Sequence, residues 1–235
     1  MSGAQPEGKP EVLERSASVD GASWRIGVVD SGFSSTQQDR VEAARAFVLD
    51  EAGQVRQEPV GPDCLCHGSA MLAVMAEAVP EARFCVAQVF GRTGSTSSAQ
   101  IAMAIDWLRD CGVRLINLSL GVRQDYPGLA QACARARAAG VILVAASPPR
   151  GEPVFPAAYP GVLAATGDGR CQPGQWSWLD HAIGAPVRLP GHGPAGASMA
   201  CAIVSAEAAR WLFRHPGADL AALCRHFRGK ATYRR

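Results

Sequence analysis

Apolar runs alternate with amphipathic stretches along most of the chain. The run Trp24–Val29 ends at Asp30-Ser31-Gly32, which is typical of a strand followed by a turn. Further strands are predicted at Arg83–Phe90, Val113–Leu120, Val141–Ala146 and Val162–Ala165. Helices are predicted at Gly68–Ala78, Ser97–Cys111, Leu129–Ala139 and Ser198–Phe213, with one more beyond Pro216.

Helical periodicity is clearest between residues 97 and 111. Ile101, Ala104, Ile105 and Leu108 share one face there, and Gly112 follows the predicted end. Residues 167–195 are rich in Gly and Pro, which indicates loops with short strands. Strands that alternate with helices of this length predict an α/β fold, with a mostly parallel sheet covered by helices on both faces. Ligands bind such sheets at the carboxyl ends of the strands.

Length and charge narrow the possible functions. The chain has 235 residues and a formal net charge of +2. We expect a flexible lead-in over residues 1–22 and a single domain over residues 23–235. The small net charge predicts neither a nucleic acid nor a membrane surface as partner. The first 20 residues lack the apolar core of a secretory signal, and no run approaches ~18 apolar residues.

Eight cysteines are scattered along the chain without a Cys-x-x-Cys pair. This pattern favours reduced thiols and a cytoplasmic location. A metal site at Cys64, Cys66 and His67 is the alternative, but Cys-x-Cys-His is poor zinc spacing and no second ligand pair follows. We therefore predict no metal and no cofactor.

Three residues in chain order carry candidate chemistry. Asp30 ends a predicted strand, whereas His67 and Ser198 each stand at a predicted helix start. Taken singly, they are typical of a turn, a loop and a helix cap. A serine hydroxyl becomes a strong nucleophile when a histidine accepts its proton and a carboxylate orients that histidine. Together they predict Ser198 as nucleophile, His67 as base and Asp30 as orienting acid.

The segments around these residues resemble those of the subtilisin-like serine proteases, the subtilases. The order Asp, His, Ser is the order of that family. The resemblance extends over about residues 24–213. It rests on these segments: Ile26–Gly32, His67–Ala70 with Ser69 where Thr is usual, Val86–Gly91, Ile116–Gly121, Phe155–Val162 and Gly196–Ala200 with Ala197 where Thr is usual.

The resemblance implies a subtilisin-like three-layer α/β fold and a polypeptide substrate. An extended peptide would lie between Ser119-Leu120-Gly121 and the Gly91 region, adding strands to both edges. Ala145, Ala146 and Ser147 would form the wall of the pocket for the residue before the scissile bond. The family implies an acyl-enzyme on Ser198.

The chain departs from the family pattern at the oxyanion site. Pro148 stands where the family usually has an Asn, and Asn117, the only Asn in the chain, belongs to another motif. Pro offers neither a side-chain donor nor an N–H group. Ser147, Arg150 or a substrate group could replace the missing donor.

Two further departures suggest a dedicated processing protease. The segment before Trp24 is too short for the chaperone pro-domain of secreted members, and Ala78–Ala82 is too short and too poor in carboxylates for their calcium loop. The chain resembles enzymes that remove leader peptides from modified peptides or small subunits, such as the one that processes the cross-linked small subunit of quinohemoprotein amine dehydrogenase. The alternatives are a catalytically degenerate peptide-binding or scaffold protein, a transpeptidase that forms macrocycles, and general protein turnover. The oligomeric state stays open.

Overall fold

Alternating strands and helices build three layers in the computed structural model, which describes residues 24–235. The predicted lead-in, residues 1–22, lies outside the described residues. The strands are β1 (Arg25–Asp30), β2 (Val41–Leu49), β3 (Val55–Glu58), β4 (Arg83–Gln88), β5 (Leu115–Leu118), β6 (Ile142–Ala146), β7 (Leu163–Gly167), β8 (Ser177–Trp178), β9 (Ile183–Ala185) and β10 (Tyr233–Arg234). The helices are α1 (His67–Ala78), α2 (Ser98–Asp110), α3 (Pro127–Ala138), α4 (Ala197–Arg214) and α5 (Leu220–Lys230), with a 3₁₀ helix at Ser35–Arg40.

The strands of this described part form one sheet in the order β10-β8-β9-β7-β6-β5-β1-β4-β2-β3. Neighbours pair in parallel except β2 with β3 and β8 with β9. Consecutive strand residues point to opposite faces. Val28 accordingly packs in the cluster that contains residues of α1, α4 and α5, whereas Val29 packs in the cluster that contains residues of α2 and α3. The predicted parallel sheet with helices on both faces is confirmed.

Three strands (β2, β3 and the two-residue β10) and the 3₁₀ helix have no counterpart in the sequence analysis, which placed no element between residues 33 and 63 and no strand after the last helix. β2 mixes charged and apolar residues, and its pairing with β4 shifts register between Val41 and Ala43. β3 is an exposed strand at the end of the sheet. Neither strand has the continuous apolar run of a central strand, so pattern alone does not identify them.

Several predicted elements are shorter in the structure. β5 covers Leu115–Leu118, not Val113–Leu120, so Ser119-Leu120-Gly121 follows the strand. α2 begins after Ser97 because the Ser97 hydroxyl accepts from the Gln100 N–H while the Gln100 side chain accepts from the Ser97 N–H, which is a capping box. The short strands expected between residues 167 and 195 are β8 and β9.

The carboxyl ends of the central strands meet at one edge of the sheet, as in other parallel sheets. Asp30 ends β1, Gln88 ends β4, Ser119 follows β5 and Ser147 follows β6. The beginnings of α1 and α4 lie at the same edge, because Met71 and Met199 pack in one apolar cluster. Within residues 24–235, no helix is both long and apolar enough to span a bilayer.

Candidate active site

Asp30 is fully buried at the end of β1, and one of its carboxylate oxygens collects several hydrogen bonds. Oδ1 accepts from the Ser31 N–H at 2.7 Å and from the Ser31 hydroxyl at 3.2 Å. The same oxygen lies 2.7 Å from His67 Nδ1. Because a carboxylate only accepts, Nδ1 carries the proton, and Nε2 of a neutral His67 is left as the basic nitrogen.

The surroundings of His67 favour its charged form. The hydrogen bond to Asp30 raises the pKa of His67, partial burial opposes this, and the negative charges of Asp30 and Asp63 raise it further. The net effect is a pKa above the usual range for histidine. An imidazole that gains stability on protonation is suited to taking a proton from a hydroxyl group.

His67 is the first residue of α1, and the start of this helix is docked on the turn after Asp30. The Gly68 N–H donates to the Ser31 hydroxyl at 2.9 Å. Asp63 Oδ2 accepts from the Ser69 N–H at 2.8 Å and from the Ser69 hydroxyl at 2.6 Å. A Cβ on residue 68 would lie 2.3 Å from the Gly32 carbonyl oxygen, so only glycine permits this approach. The His67 backbone is therefore held on both sides.

Ser198 is the second residue of α4, whose N-cap is Gly196 with a φ of 99° and no side-chain cap. The positive φ is accessible to glycine at little cost. Without a cap, the first N–H groups of the helix are available to a ligand, and the positive end of the helix dipole favours an anion there. Ser198 Oγ donates to the Ser119 carbonyl oxygen at 3.0 Å, and the Ser119 hydroxyl donates to the Ser198 carbonyl oxygen at 3.2 Å.

The sheet brings the predicted acid, base and nucleophile to one edge. β1 and β5 are neighbours, and Val29 pairs with Leu118, so Asp30 and Ser119 follow on adjacent strands. Asp30 holds His67, and Ser119 holds Ser198. No hydrogen bond joins His67 to Ser198 among the described residues, because the Ser198 hydroxyl is bonded to Ser119.

A cavity of about 820 Å³ opens beside Ser198. Leu120, Val154 and Phe155 are the large apolar residues of its lining. Five predicted substrate-binding residues line it: Ser119, Leu120, Gly121, Ala146 and Ser147. Ala197 and the predicted nucleophile Ser198 line it as well. Its charged residues are Arg123, Arg150 and Glu152.

Two predicted substrate-binding residues lie elsewhere. Ala145 is fully buried inside β6 and does not line the cavity. Gly91 lines a separate groove of about 480 Å³ with Gln88 and Phe90, beyond the end of β4. The interval between the two grooves contains the predicted path of an extended peptide.

The loop after β6 carries the departure from the family pattern. Pro148 lines the cavity beside Ser147 and Arg150. The Ser147 N–H is already bonded to the Ala165 carbonyl oxygen at 2.8 Å, and its hydroxyl is 3.5 Å from the Pro148 carbonyl oxygen. Arg150 is exposed and makes no hydrogen bond or ion pair to the described residues. Its guanidinium is a side-chain donor on this loop without a partner among the described residues.

A buried polar network below Ser198 was not recognised from the sequence. The fully buried Asn117 amide donates to Ser205 Oγ at 2.9 Å and to Cys201 Sγ at 3.3 Å, and its oxygen accepts from the Ser119 hydroxyl at 3.0 Å. Asp63 was also missed as the partner of Ser69. A polar residue within an apolar strand signals Asn117, whereas Asp63 lies in a loop that carries no pattern.

Metal-ligand groups are absent from residues 24–235, in which no three His, Cys, Asp or Glu side chains are arranged to hold an ion. Cys64 and Cys66 are exposed, and all eight cysteines are free thiols.

Known proteins resemble this chain in sequence and in structure. It is 29% identical over 154 residues to a thermostable alkaline protease of Halalkalibacterium halodurans, covering 62% of this chain and 42% of that protein. It is 27% identical over 242 residues to alkaline elastase YaB of Bacillus sp. strain YaB, covering 94% and 62%. Subtilisin Savinase of Lederbergia lenta is 28% identical over 157 residues, covering 62% and 56%. The chain thus spans less than two thirds of the length of these relatives.

Solved structures confirm the predicted subtilisin-like fold. The S41 psychrophilic protease superposes with a TM-score of 0.70 at 20% identity, covering 87% of this chain and 82% of that one. A cold-adapted subtilisin-like serine proteinase gives 0.70 at 18% identity, covering 85% and 79%. Residues 21–226, most of the chain, match the model of the Subtilase family. The chain therefore belongs to the subtilase family.

Proposed function

We propose that this chain is a serine endopeptidase with Ser198 as nucleophile, His67 as base and Asp30 as orienting acid. The observation that carries the proposal is the 2.7 Å contact between His67 Nδ1 and Asp30 Oδ1, which leaves Nε2 as the base. Ser198 lies at the same sheet edge, at the rim of a cavity large enough for a side chain. Membership of the subtilase family and the similarity to named proteases support the same activity.

The chemistry follows from these positions. The Ser198 hydroxyl leaves the Ser119 carbonyl and turns to His67, which takes its proton as Oγ bonds to the substrate carbonyl carbon. The tetrahedral intermediate then breaks its C–N bond, and His67 returns the proton to the departing amine. A water molecule, deprotonated by His67, hydrolyses the ester and restores Ser198. A peptide that lies along Ser119–Gly121 offers an N–H to the Ser119 carbonyl and so frees the hydroxyl.

Charge on the intermediate needs donors, because the oxyanion forms in a partly desolvated cleft. The uncapped start of α4 supplies the Ser198 N–H. We propose the Arg150 guanidinium as the second donor, since it shares the cavity with Ser198 and has no partner among the described residues. Arg150→Ala is expected to lower kcat more than Arg123→Ala, its matched control in the same cavity. Equal losses would contradict the role of Arg150.

The narrower proposal is a dedicated processing protease that removes a leader peptide from a modified peptide or small subunit, in the manner of quinohemoprotein amine dehydrogenase maturation. Pro148 supports it, because a rate reduced by a missing side-chain donor is better tolerated with one specific substrate than with many. The free cysteines are consistent with the further proposal of a cytoplasmic location.

The first experiment exposes the protein and Ser198→Ala to a fluorophosphonate probe and weighs both intact. An adduct on the unmodified protein alone supports an activated Ser198. No adduct on either contradicts it and favours the second candidate, a peptide-binding protein without turnover, for which Pro148 is the specific observation.

The second experiment tests the kind of product. The active protein is incubated with denatured casein and with a peptide library, and the products are weighed. One preferred cut site supports dedicated processing. Many unrelated fragments support general turnover, and a cyclic product, lighter than its linear form by one water, supports transpeptidation.

A further inference from the structure

Gln88 occupies a special place at the end of β4. It pairs with Asp30 in the parallel ladder between β1 and β4, so both side chains rise on the same side at the same edge of the sheet. Gln88 is 8% exposed, and a buried carboxamide needs partners for its oxygen and for both N–H groups. Its partners therefore show what the side chain does.

The Gln88 carboxamide joins two segments that are far apart in sequence. Nε2 donates to the Ser31 carbonyl oxygen at 2.7 Å and to the Gly61 carbonyl oxygen at 3.2 Å, with the Pro62 carbonyl oxygen further away at 3.5 Å. Oε1 accepts from the Gly61 N–H at 2.8 Å. One side chain thus bonds the turn after Asp30 and the loop that leads to His67.

Each segment adjoins one member of the candidate acid–base pair, because the turn follows Asp30 and the loop precedes His67. The turn contains Ser31, whose N–H donates to Asp30 Oδ1. The loop continues to Asp63, which accepts from Ser69 at the start of α1. Any change in spacing between turn and loop changes the distance between Asp30 Oδ1 and His67 Nδ1.

We infer that Gln88 is a positioning residue for the reaction, which fixes the His67 loop against the Asp30 turn and thereby aligns the imidazole. The inference rests on the proposed function for its effect on turnover, but not for its effect on His67. Asp30 and Asp63 are the charged groups that act on His67, and Gln88 bonds the backbone next to each of them.

Gln100 provides a matched control. It is 7% exposed, and its Nε2 donates to the Phe47 carbonyl oxygen at 2.7 Å while its Oε1 accepts from the Ser97 N–H at 2.9 Å. Its Nε2 also lies 3.5 Å from the carbonyl oxygen of Val89, which follows Gln88. Gln100 therefore also bonds backbone groups of separate segments, but it bonds neither the turn after Asp30 nor the loop that leads to His67. Loss of a buried carboxamide as such has similar effects on stability at both positions.

The test compares Gln88→Met, Gln88→Asn and Gln100→Met. Each is made with Ser198→Ala for NMR titration of His67 and with Ser198 intact for kinetics. We expect Gln88→Met to move the His67 titration to lower pH and to lower kcat by about tenfold to a hundredfold, with KM within about twofold. Gln100→Met removes a carboxamide from the same groove and leaves the His67 titration in place. Gln88→Asn, whose carboxamide is too short to reach both segments, gives an intermediate result and decides the matter if Gln88→Met does not fold.

Equal behaviour of the Gln88 and Gln100 variants, with the His67 titration unmoved, would overturn the inference and leave Gln88 a structural residue only. A protein without any cleavage activity would overturn the proposed function. The titration would still show whether Gln88 aligns His67, so the two failures are distinguishable.

Discussion

The two helix starts that carry the candidate chemistry are built in opposite ways. At α1, Ser31 and Asp63 accept from the N–H groups of Gly68 and Ser69, so the amides are bonded within the protein. At α4, Gly196 provides no side-chain cap, and the amides near Ser198 face the cleft. A helix start has four N–H groups without helical partners, which are bonded either by the protein or by a ligand.

The difference separates two tasks. The base must keep one orientation throughout the reaction, and the bonded start of α1 restricts His67. The nucleophile and the oxyanion site must meet a changing substrate, and the open start of α4 leaves donors for it. We therefore propose that the half of the site around His67 is already ordered in the free protein, whereas the half around Ser198 takes its remaining hydrogen bonds from a bound peptide.

The largest effect on activity is expected from Ser198→Ala, which removes the reacting oxygen atom from the half of the site at the uncapped start of α4, the open half. We expect kcat to fall by roughly 10⁴- to 10⁶-fold, because no other group replaces the nucleophile. The bond between Asp30 and His67 does not involve Ser198, so the thermal midpoint and peptide affinity stay close to those of the unmodified protein. Substantial remaining cleavage by this folded variant would sink the assignment.

The second effect sharpens the comparison by adding a donor to the open half. Pro148→Asn restores a side-chain N–H group, and we expect kcat to rise by up to about 100-fold with little change in KM. The matched control is Pro149→Asn, one residue further along the same loop. A rise in both variants would point to loop flexibility, and a rise in neither would contradict the expectation that a side chain at residue 148 reaches the oxyanion.

The third effect concerns what holds α4 in place of a cap. Asn117→Leu leaves the buried hydroxyl of Ser205 without its donor, and we expect the free energy of unfolding to fall by about 2 kcal/mol. Ser205→Ala removes a single partner and is expected to cost about 1 kcal/mol. Urea unfolding measures both. An Asn117→Leu variant as stable as the original would show that the network adds nothing to stability.

The smallest effect is expected on the pH dependence of kcat/KM, through the charge of Asp63 near His67 at the start of α1. The charge of Asp63 raises the pKa of His67, and the base must be neutral to act. Asp63→Asn keeps an oxygen for the Ser69 N–H but removes the charge, so the pKa of His67 falls and the acid limb of kcat/KM moves to lower pH. Asp180→Asn, the same change at an exposed position whose charge does not act on His67, leaves the limb in place. A limb that moves upward with Asp63→Asn would contradict the sign.

Asp63 also makes the stability of the unmodified protein depend on pH, and the sign of this dependence follows from the pKa of its carboxyl group. Burial raises the pKa of Asp63, but hydrogen bonds from Ser69, Ser31 and Leu65 outweigh burial and hold it below its usual range. A carboxyl with a depressed pKa stabilises the folded state above its unfolded pKa, and this contribution is lost as pH falls through the folded pKa. Unfolding curves of Asp63→Asn are expected to lack that loss.

The sequence predicts best where physical constraints are local. A buried strand that ends in Asp30, and glycines that precede Ser198 and follow His67, are readable because each needs a specific residue type at a specific place. Asp63 and Gln88 are not readable in this way, since their roles come from bonds to backbone groups of distant segments. Backbone partners leave no trace in residue identity.

The strands β2 and β3, towards one edge of the sheet, were also not predicted from the sequence. β2 mixes charged and apolar residues without a clear period and contains a register shift, and β3 is mostly polar and exposed. Ala145, one residue before the end of β6, was also expected on the cavity wall although it is fully buried. A one-residue change along a strand reverses the face that a side chain occupies.

The reactivity of the cysteine thiols can report how often the folded protein opens. Cys64 and Cys66 are exposed immediately before His67. Burial raises the pKa of Cys85, Cys133 and Cys201 to about 12, so these thiols are almost never thiolates while the fold is intact. Alkylation under native conditions is therefore expected to be fast at the exposed thiols beside the proposed base and slow at these buried thiols, where its rate measures how often the interior becomes accessible.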